Sequence, residues 1–594
     1  MIPWRRKTRT RRMQTPSLTL RINPGMLRTI RVVLLLVGPV LLAGLIGWKP
    51  LPQEAPVGYA IESTTVVDQC SRCHAVDENG RMSRISYLRK TPEGWQTSIR
   101  RMVALHGARV DPEDAREIVR YLSNEQGLAP EELRPGLFEV ERRLIDHDYE
   151  GDSGVEYTCI QCHSMGRVIT QRRTEEEWSL LIATHRSLYP LVDTQGGGIF
   201  RRNERPEEGD DPRQPMDVAI DHLSEEFPLE TREWSAWAAT KRVPQLAGKW
   251  ALSGYEPGRG ALFGKVSISL NSQDLGTFSM TGSYEYVENG EEVTRSGEGI
   301  VYAGYQWRGR SNPDSDSELR EVMFVERDLR TISGRWFTGA YDEQGPDVTL
   351  TRIGADAIMT GVHPRAIERG QTVSVTLFGA NLPTETGGAA EMDFGQGVSV
   401  TETENADNGS ITLSLRVDQD AEMGVRDLYA FGVSLQDAIV IHDGVDWIQV
   451  TPKTGMARVG GAVFPKGYQT FDAIGYDHGP DGNPNTDDDL ELGRIEASWS
   501  LDEYAAIFGD DDIEFVGSMR QDGTFIPALD GPNPERTGNR NNVGDVWVVA
   551  THNLRDSDQL TARAHLIVTV PLYMRFEPWR EVDPESAATF EEDR

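Results

Sequence analysis

The sequence predicts a multidomain chain: an N-terminal all-α domain in two tandem halves, then three mainly antiparallel β domains, namely a barrel, an immunoglobulin-like sandwich and a β-sandwich. Three observations predict it. With 594 residues the chain is too long for one hydrophobic core. Helical apolar periodicity runs to about residue 242, then yields to short alternating runs broken by Gly, Asn and Asp. A C-x-x-C-H pentapeptide occurs twice, at 70–74 and 159–163, each time followed by similar helical segments.

Residues 1–49 stand apart as an export signal or N-terminal anchor. Arg5, Arg6, Lys7, Arg9, Arg11, Arg12, Arg21, Arg28 and Arg31 precede the apolar run Val32–Ile46, and no acid occurs before Glu54. This is the order of an export signal. The run contains Pro39 and falls short of the ~20 apolar residues of a full span, which favours cleavage over retention as an inner-membrane anchor. Removing the ten positive charges of this segment, which holds no negative one, takes the net charge from −32 to −42. So acidic a protein is poorly matched to nucleic acid or anionic membrane surfaces.

All four Cys belong to the two pentapeptides, Cys70-Ser71-Arg72-Cys73-His74 and Cys159-Ile160-Gln161-Cys162-His163, so no Cys remains for a structural disulfide. Two intervening residues let one helical turn present both sulfurs to one porphyrin edge, where they add to the vinyl groups, and the adjacent His then meets the iron. A redox dithiol or half a zinc site is the competing reading. Zinc needs further ligands at similar spacing, and there is no fifth Cys. Each pentapeptide is thus expected to hold one covalent c-type haem, making 58–242 a dihaem cytochrome c domain with halves 58–135 and 136–242.

The halves repeat beyond the pentapeptides. Thr91-Pro-Glu-Gly-Trp95 leads to Met102, and Thr174-Glu-Glu-Glu-Trp178 leads to His185, with six residues between Trp and the sulfur or imidazole in each case. Each segment has a Thr cap and an acidic first turn, and each half closes on a further helix, at 115–123 and 216–224. The alignment assigns His74 and Met102 to the iron of the first haem, and His163 and His185 to that of the second. His106 competes with Met102; Met165, Met216 and His222 compete with His185. Trp95 and Trp178 are candidates for packing on the porphyrins or, equally, for plain core. Met ligation raises an iron potential relative to bis-His ligation, so ligation alone favours flow from the second haem to the first, an order that burial and nearby charge can reverse. The second half also carries a Gly- and charge-rich insertion, 191–213, read as a loop.

Residues 246–354 read as the barrel, with strand-like runs such as FGKVSISLN and GTFSMTGSYEYV and Gly at the bends. Residues 356–443, with TVSVTLFGANL and SITLSLRVD, read as the immunoglobulin-like sandwich. Residues 446–594 form a C-terminal β domain with an acidic tail. Its loop at 477–489 bears Asp477, Asp481, Asn483, Asn485, Asp487, Asp488 and Asp489. An EF-hand is excluded by Thr486 and Leu492 at its Gly and Glu positions, so a solvated acidic turn is preferred to a calcium site.

This layout resembles the alpha subunit of quinohaemoprotein amine dehydrogenase, over about 58–590. The stretches ARVGGAVFPKGYQTFDAIGY, SWSLDEYAAIFGDDDIEFVG and DGPNPERTGNRNNVGDVWVVA, with the two haem halves, carry the likeness. The resemblance implies a periplasmic heterotrimer. In it a small gamma subunit bears cysteine tryptophylquinone and oxidises primary amines, a beta-propeller subunit completes the active site, and the alpha subunit passes electrons to a blue-copper or cytochrome c acceptor. No catalytic residue is then expected here, since a Cys-linked quinone needs a Cys outside the haem motifs. Two other readings are a free-standing periplasmic dihaem carrier and a dihaem peroxidase. The second requires a haem with an open sixth position, whereas each half offers a candidate ligand.

Overall fold

The computed structural model describes residues 58–571 apart from 139–148, 161–162, 190–191, 196–212, 272–273, 275, 314, 316–317, 339–343, 385–391, 462–463, 485, 506–510 and 555–557. The segment 1–49, Cys162, most of the 191–213 insertion, Asn485 and the acidic tail lie outside the described residues. No described helix is long and apolar enough to cross a membrane.

Helix α1 (Thr64–Cys70) runs into the first pentapeptide, its start capped by the Ser63 hydroxyl, which accepts from the Val66 N–H. Helix α2 (Pro92–His106) is capped by Thr91, begins at Pro92 and carries Glu93 in its first turn. It ends at Gly107, whose φ of 66° is left-handed and would strain a residue bearing a Cβ. Helix α3 (Pro112–Glu125) turns Ala115, Ile118, Val119 and Leu122 inward. The second half repeats the order with α4 (Ser153–Cys159), α5 (Glu175–Leu188, capped by Thr174) and α6 (Pro215–Glu226). A last helix, α7 (Arg232–Ala238), precedes the β domains.

The all-α expectation is corrected at one place. Strands β1 (Leu88–Lys90) and β2 (Gln171–Arg173) pair antiparallel, Leu88 with Arg173, Arg89 with Arg172 and Lys90 with Gln171. Both strands immediately precede the capping Thr of a Trp helix, so their backbone groups are outside the helices and find partners in each other. The strands occupy equivalent places in the two halves. Exchanging them leaves the register unchanged, so a local two-fold axis passes between Arg89 and Arg172. Leu88, Lys90, Gln171 and Arg173 share one face of this ribbon, and Arg89 and Arg172 the other.

The second face closes on one carboxylate. Fully buried Arg89 binds Glu132 through two N–H groups, at 2.7 and 2.9 Å, and Arg172 Nε lies 3.1 Å from the same side chain. Thr231, the cap of α7, donates to Glu132 at 2.8 Å. Burial pushes the Glu132 carboxyl up, but the bonds and charge of Arg89, then Arg172, overcome this and hold it down to about 2.

The following strands β3 (Gly248–Glu256), β4 (Gly260–Leu270), β5 (Thr277–Tyr286), β6 (Glu291–Tyr302), β7 (Gln306–Ser311), β8 (Leu319–Val325), β9 (Thr331–Thr338) and β10 (Asp347–Arg352) close an eight-stranded up-and-down barrel, β10 pairing with β3. Its core is aromatic, with Trp250, Trp307, Trp336, Tyr286, Tyr305 and Phe278 nearly inaccessible. The haem region is fastened to it: Arg308 Nε reaches Glu93 at 2.5 Å with both side chains buried, Trp237 Nε1 donates to the Ala303 carbonyl and Tyr305 donates to that of Leu128.

Next, β11 (Ile358–His363), β13 (Thr372–Ala380), β15 (Ser410–Val417) and β14 (Val398–Ala406) form one antiparallel sheet. Strands β12 (Ala366–Glu368), β17 (Val433–His442) and β16 (Gly424–Ala430) form a second, in which β12 and β17 are parallel. The two sheets share an apolar core that includes Leu377, Leu413, Leu428 and Ile439. The C-terminal domain holds the four-stranded sheet β19 (Thr454–Arg458), β27 (Gln559–Thr569), β26 (Gly544–Asn553), β23 (Ser498–Glu503). Two three-stranded sheets accompany it: β18 (Trp447–Thr451), β21 (Asp472–Asp477), β22 (Leu490–Arg494), and β20 (Gln469–Thr470), β25 (Thr524–Pro527), β24 (Gly517–Met519). In its acidic loop the carboxylates accept local backbone bonds: Asp477 from Asp443 and Gly479, Asp481 from Asn483, Asp488 from Asp481. No described group of three His, Cys, Asp or Glu side chains is arranged to hold a bare metal ion, in that loop or at the pentapeptides.

Candidate functional site

At the first pentapeptide the helical turn continues past the end of α1: the N–H groups of Cys73 and His74 both donate to the Cys70 carbonyl, at 3.1 and 2.9 Å. Both thiols and the imidazole therefore leave one turn. Cys70 packs against the core holding Trp95, Val66 and Ile99, whereas Cys73 is exposed. In the second half Cys159 packs against the core holding Trp178 and Met165. Burial pushes the Cys70 thiol up to about 11 and that of Cys159 to about 12.

The imidazoles share one arrangement. His74 Nδ1 lies 2.8 Å from the Ser83 carbonyl, His163 Nδ1 2.9 Å from that of Ser164, and His185 Nδ1 2.9 Å from that of Leu181. A carbonyl only accepts, so each Nδ1 carries the proton and each Nε2 keeps its lone pair for a metal. The rings of His163 and His185 have centres 6.4 Å apart and are tilted by 54° to one another. Two metal–nitrogen bonds of about 2 Å, with each ring centre about 1 Å beyond its nitrogen, give about 6 Å. The observed separation is that of two imidazoles sharing one iron. Burial lowers the His163 imidazolium to about 4 and lowers that of His185 as well, leaving both in the neutral form that binds metal.

Met102 lies in the last turns of α2, half-buried, seven residues beyond buried Trp95. Seven residues make about two turns, so Met102 shares the face of Trp95, as His185 shares that of Trp178. The two Trp side chains are fixed alike. Trp95 Nε1 donates to the Gln126 carbonyl at 3.3 Å and Trp178 Nε1 to the Phe227 carbonyl at 3.2 Å, each acceptor standing just past the end of the closing helix. Among the competing ligands, His106 is exposed at the end of α2, Met165 and Met216 are core, and His222 Nε2 is 2.8 Å from the Tyr149 hydroxyl. The exposed large apolar side chains of this region are Val76 and Leu105 in the first half and Tyr157, Ile160, Leu188 and Tyr189 in the second, close in sequence to the pentapeptides or to the ends of the Trp helices. The described thiols and Nε2-presenting imidazoles are the donor set that a c-type haem requires.

Reasoning from sequence missed the ribbon and its charges. Lys90 Nζ lies 5.5 Å from the Trp95 ring centre, and Arg173 lies 5.5 Å from that of Trp178, at equivalent positions. The available signal was the tetrapeptide pair Leu88-Arg-Lys-Thr91 and Gln171-Arg-Arg-Thr174, in step with the Trp repeat.

Four family models match the chain. They are described as quinohemoprotein amine dehydrogenase alpha subunit haem binding (residues 61–203), domain II (244–353), domain III (356–443) and domain IV (448–579). No curated protein matches. Solved structures are similar only faintly. A redesigned β barrel, mFAP0, bound to DFHBI shares 15% identity over 18% of this chain and 98% of its own, with a TM-score of 0.15. The Bacteroides ovatus glucan-utilisation protein SGBP-B, in complex with a mixed-linkage heptasaccharide, shares 11% over 54% and 61%, at 0.18. Protocadherin gammaB7 EC3-6 shares 12% over 56% and 71%, at 0.16. Scores this low say nothing of function.

Proposed function

Because the chain belongs to the quinohemoprotein amine dehydrogenase alpha-subunit family, we propose that it is the dihaem electron-transfer subunit of a periplasmic amine dehydrogenase. In this reading it takes electrons from a cysteine tryptophylquinone on a small gamma subunit while primary amines are oxidatively deaminated. A beta-propeller subunit completes the assembly, and a blue-copper or cytochrome c acceptor receives the electrons. The 6.4 Å approach of the His163 and His185 rings, with both Nδ1 atoms tied to carbonyls, is the observation that carries it.

A c-type haem supplies reversible one-electron chemistry at its iron. This chain's residues do the rest. Cys70 and Cys73 hold one porphyrin and Cys159 and Cys162 the other. The Ser83, Ser164 and Leu181 carbonyls keep His74, His163 and His185 in the tautomer that presents Nε2. Met102 would offer the first iron a thioether, and the core residues Trp95 and Trp178 fix the helices that carry Met102 and His185. His163 and His185 would serve the second iron and His74 and Met102 the first, ligand sets that would favour electron flow from the second haem to the first. All four Cys are spent on haem attachment, so the Cys-linked quinone belongs to another subunit.

The test is the native complex. Pyridine haemochrome analysis is expected to give two covalent haems on this chain, quinone staining to mark a small partner, and added primary amine to reduce the haems. A complex without a quinone-staining subunit and without amine-dependent reduction overturns the proposal, and peroxide turnover by the isolated chain replaces it with the peroxidase reading.

A further inference from the structure

The ribbon face toward the two Trp rings carries one cation per half, and the two differ in kind and in company. Arg173 lies 3.7 Å from the buried carboxylate of Glu177, which Arg84 also binds at 2.9 Å. Lys90 is 9% exposed, donates to the neutral Ser98 hydroxyl at 2.7 Å and has no described carboxylate within ion-pair distance. The compensated place thus holds a guanidinium, which keeps its proton, and the uncompensated place an amine, which can lose one. Lys90 lies over Trp95, and Trp95 shares its core with Cys70.

We propose that Lys90 is the proton-accepting partner of the first haem: its Nζ takes up one proton when that iron gains an electron and releases it when the electron leaves. The inference rests on the haem reading given above. In the balanced step one electron from a reduced quinone, or from an electrode, converts ferric to ferrous iron. One solvent proton adds to the Nζ lone pair, turning –NH2 into –NH3+, and the local charge is conserved. The charged groups around Nζ set its readiness to titrate. Burial, then Arg173 on β2 and Arg101 on α2, push the ammonium well below its usual range, Glu177 on α5 opposes them, and Arg84 before β1 adds to the lowering. An electron on the first haem's iron would add a negative charge and draw the proton back. Arg173 has no equivalent freedom.

The experiment is a spectroelectrochemical titration of the holoprotein from about pH 6 to 9, a span below the usual lysine range. The two haems are told apart by their EPR signals. The midpoint of the first haem is expected to fall as pH rises, by up to about 59 mV per unit, the value of a tenfold change for one electron. Lys90→Arg, which keeps the cation and its stacking, is expected to flatten that slope and leave the second haem untouched. Lys90→Met, a neutral chain of similar length, is expected to be flat as well and to lie below wild type at the acid end. A flat wild-type profile, or a Lys90→Arg protein with the wild-type slope, overturns the proton link while leaving two loaded haems in place. Fewer than two covalent haems by haemochrome overturns the haem reading and the link with it.

Discussion

The two halves of the haem-binding region share one scaffold and differ at single positions along it. Each has a capped motif helix, a three-residue strand, a Thr-capped Trp helix and a closing helix whose end accepts the Trp indole N–H. On that shared frame, seven residues past the Trp, stands Met102 in one half and His185 in the other. One residue before the capping Thr stands Lys90, without a carboxylate, or Arg173, with Glu177. The frame determines where a ligand and a cation sit, and single side chains determine what they do. Differences in redox behaviour are therefore expected to follow those few substitutions.

That contrast can be broken outright. Cys159→Ala removes a thioether of the second haem and is expected to lower the covalent haem count from two toward one and to abolish amine-driven reduction of the external acceptor; haemochrome analysis and stopped-flow spectra measure both. A sharper cut is His185→Met, which makes the second site a copy of the first. Its midpoint is expected to rise toward that of the first haem in a redox titration, and an unmoved midpoint refutes bis-His ligation.

A third change strikes what the halves hold in common. Glu132→Gln leaves Arg89 and Arg172 without their buried counter-charge and is expected to cost about 3–5 kcal/mol in chemical denaturation. The same carboxylate predicts an acid limit. Its folded-state value, near 2, lies below the ordinary 4.5, so its contribution is present above pH 4.5 and fades as pH falls toward 2. Acid titrations of the wild type and of Glu132→Gln should differ in that window. Smallest of all, Thr91→Ala and Thr174→Ala each remove one N-cap and are expected to cost about 1 kcal/mol apiece, similarly in both halves. A large disparity between them means that the Trp helices are not equivalent.

Much of this was legible in the sequence, for identifiable reasons. The pentapeptides point to a haem-binding region, and a haem-binding family model covers both of them. The Thr caps and Trp spacing repeat at a fixed offset, and Gly-rich alternation announces the strands of the barrel. The ribbon was not legible because three residues carry no periodicity, and Leu88-Arg-Lys and Gln171-Arg-Arg are as polar as a loop. Glu132 was hidden for another reason. Its partners Arg89, Arg172 and Thr231 lie far away along the chain, and only folding shows that they converge. The Arg308–Glu93 pair, which joins a barrel strand to the first turn of a Trp helix, is invisible on the same grounds.

The register of the ribbon bears on descent. Because the strands can trade places without altering a single pairing, the same ribbon would form between two separate copies of a single-haem chain. In such a homodimer every mutation appears twice, so a His that suits one site is imposed on the other. Joining the copies end to end lifts that obligation. One gene can then hold a methionine at one site and a histidine at the other, and an ancestral pair of identical relays becomes a directed one.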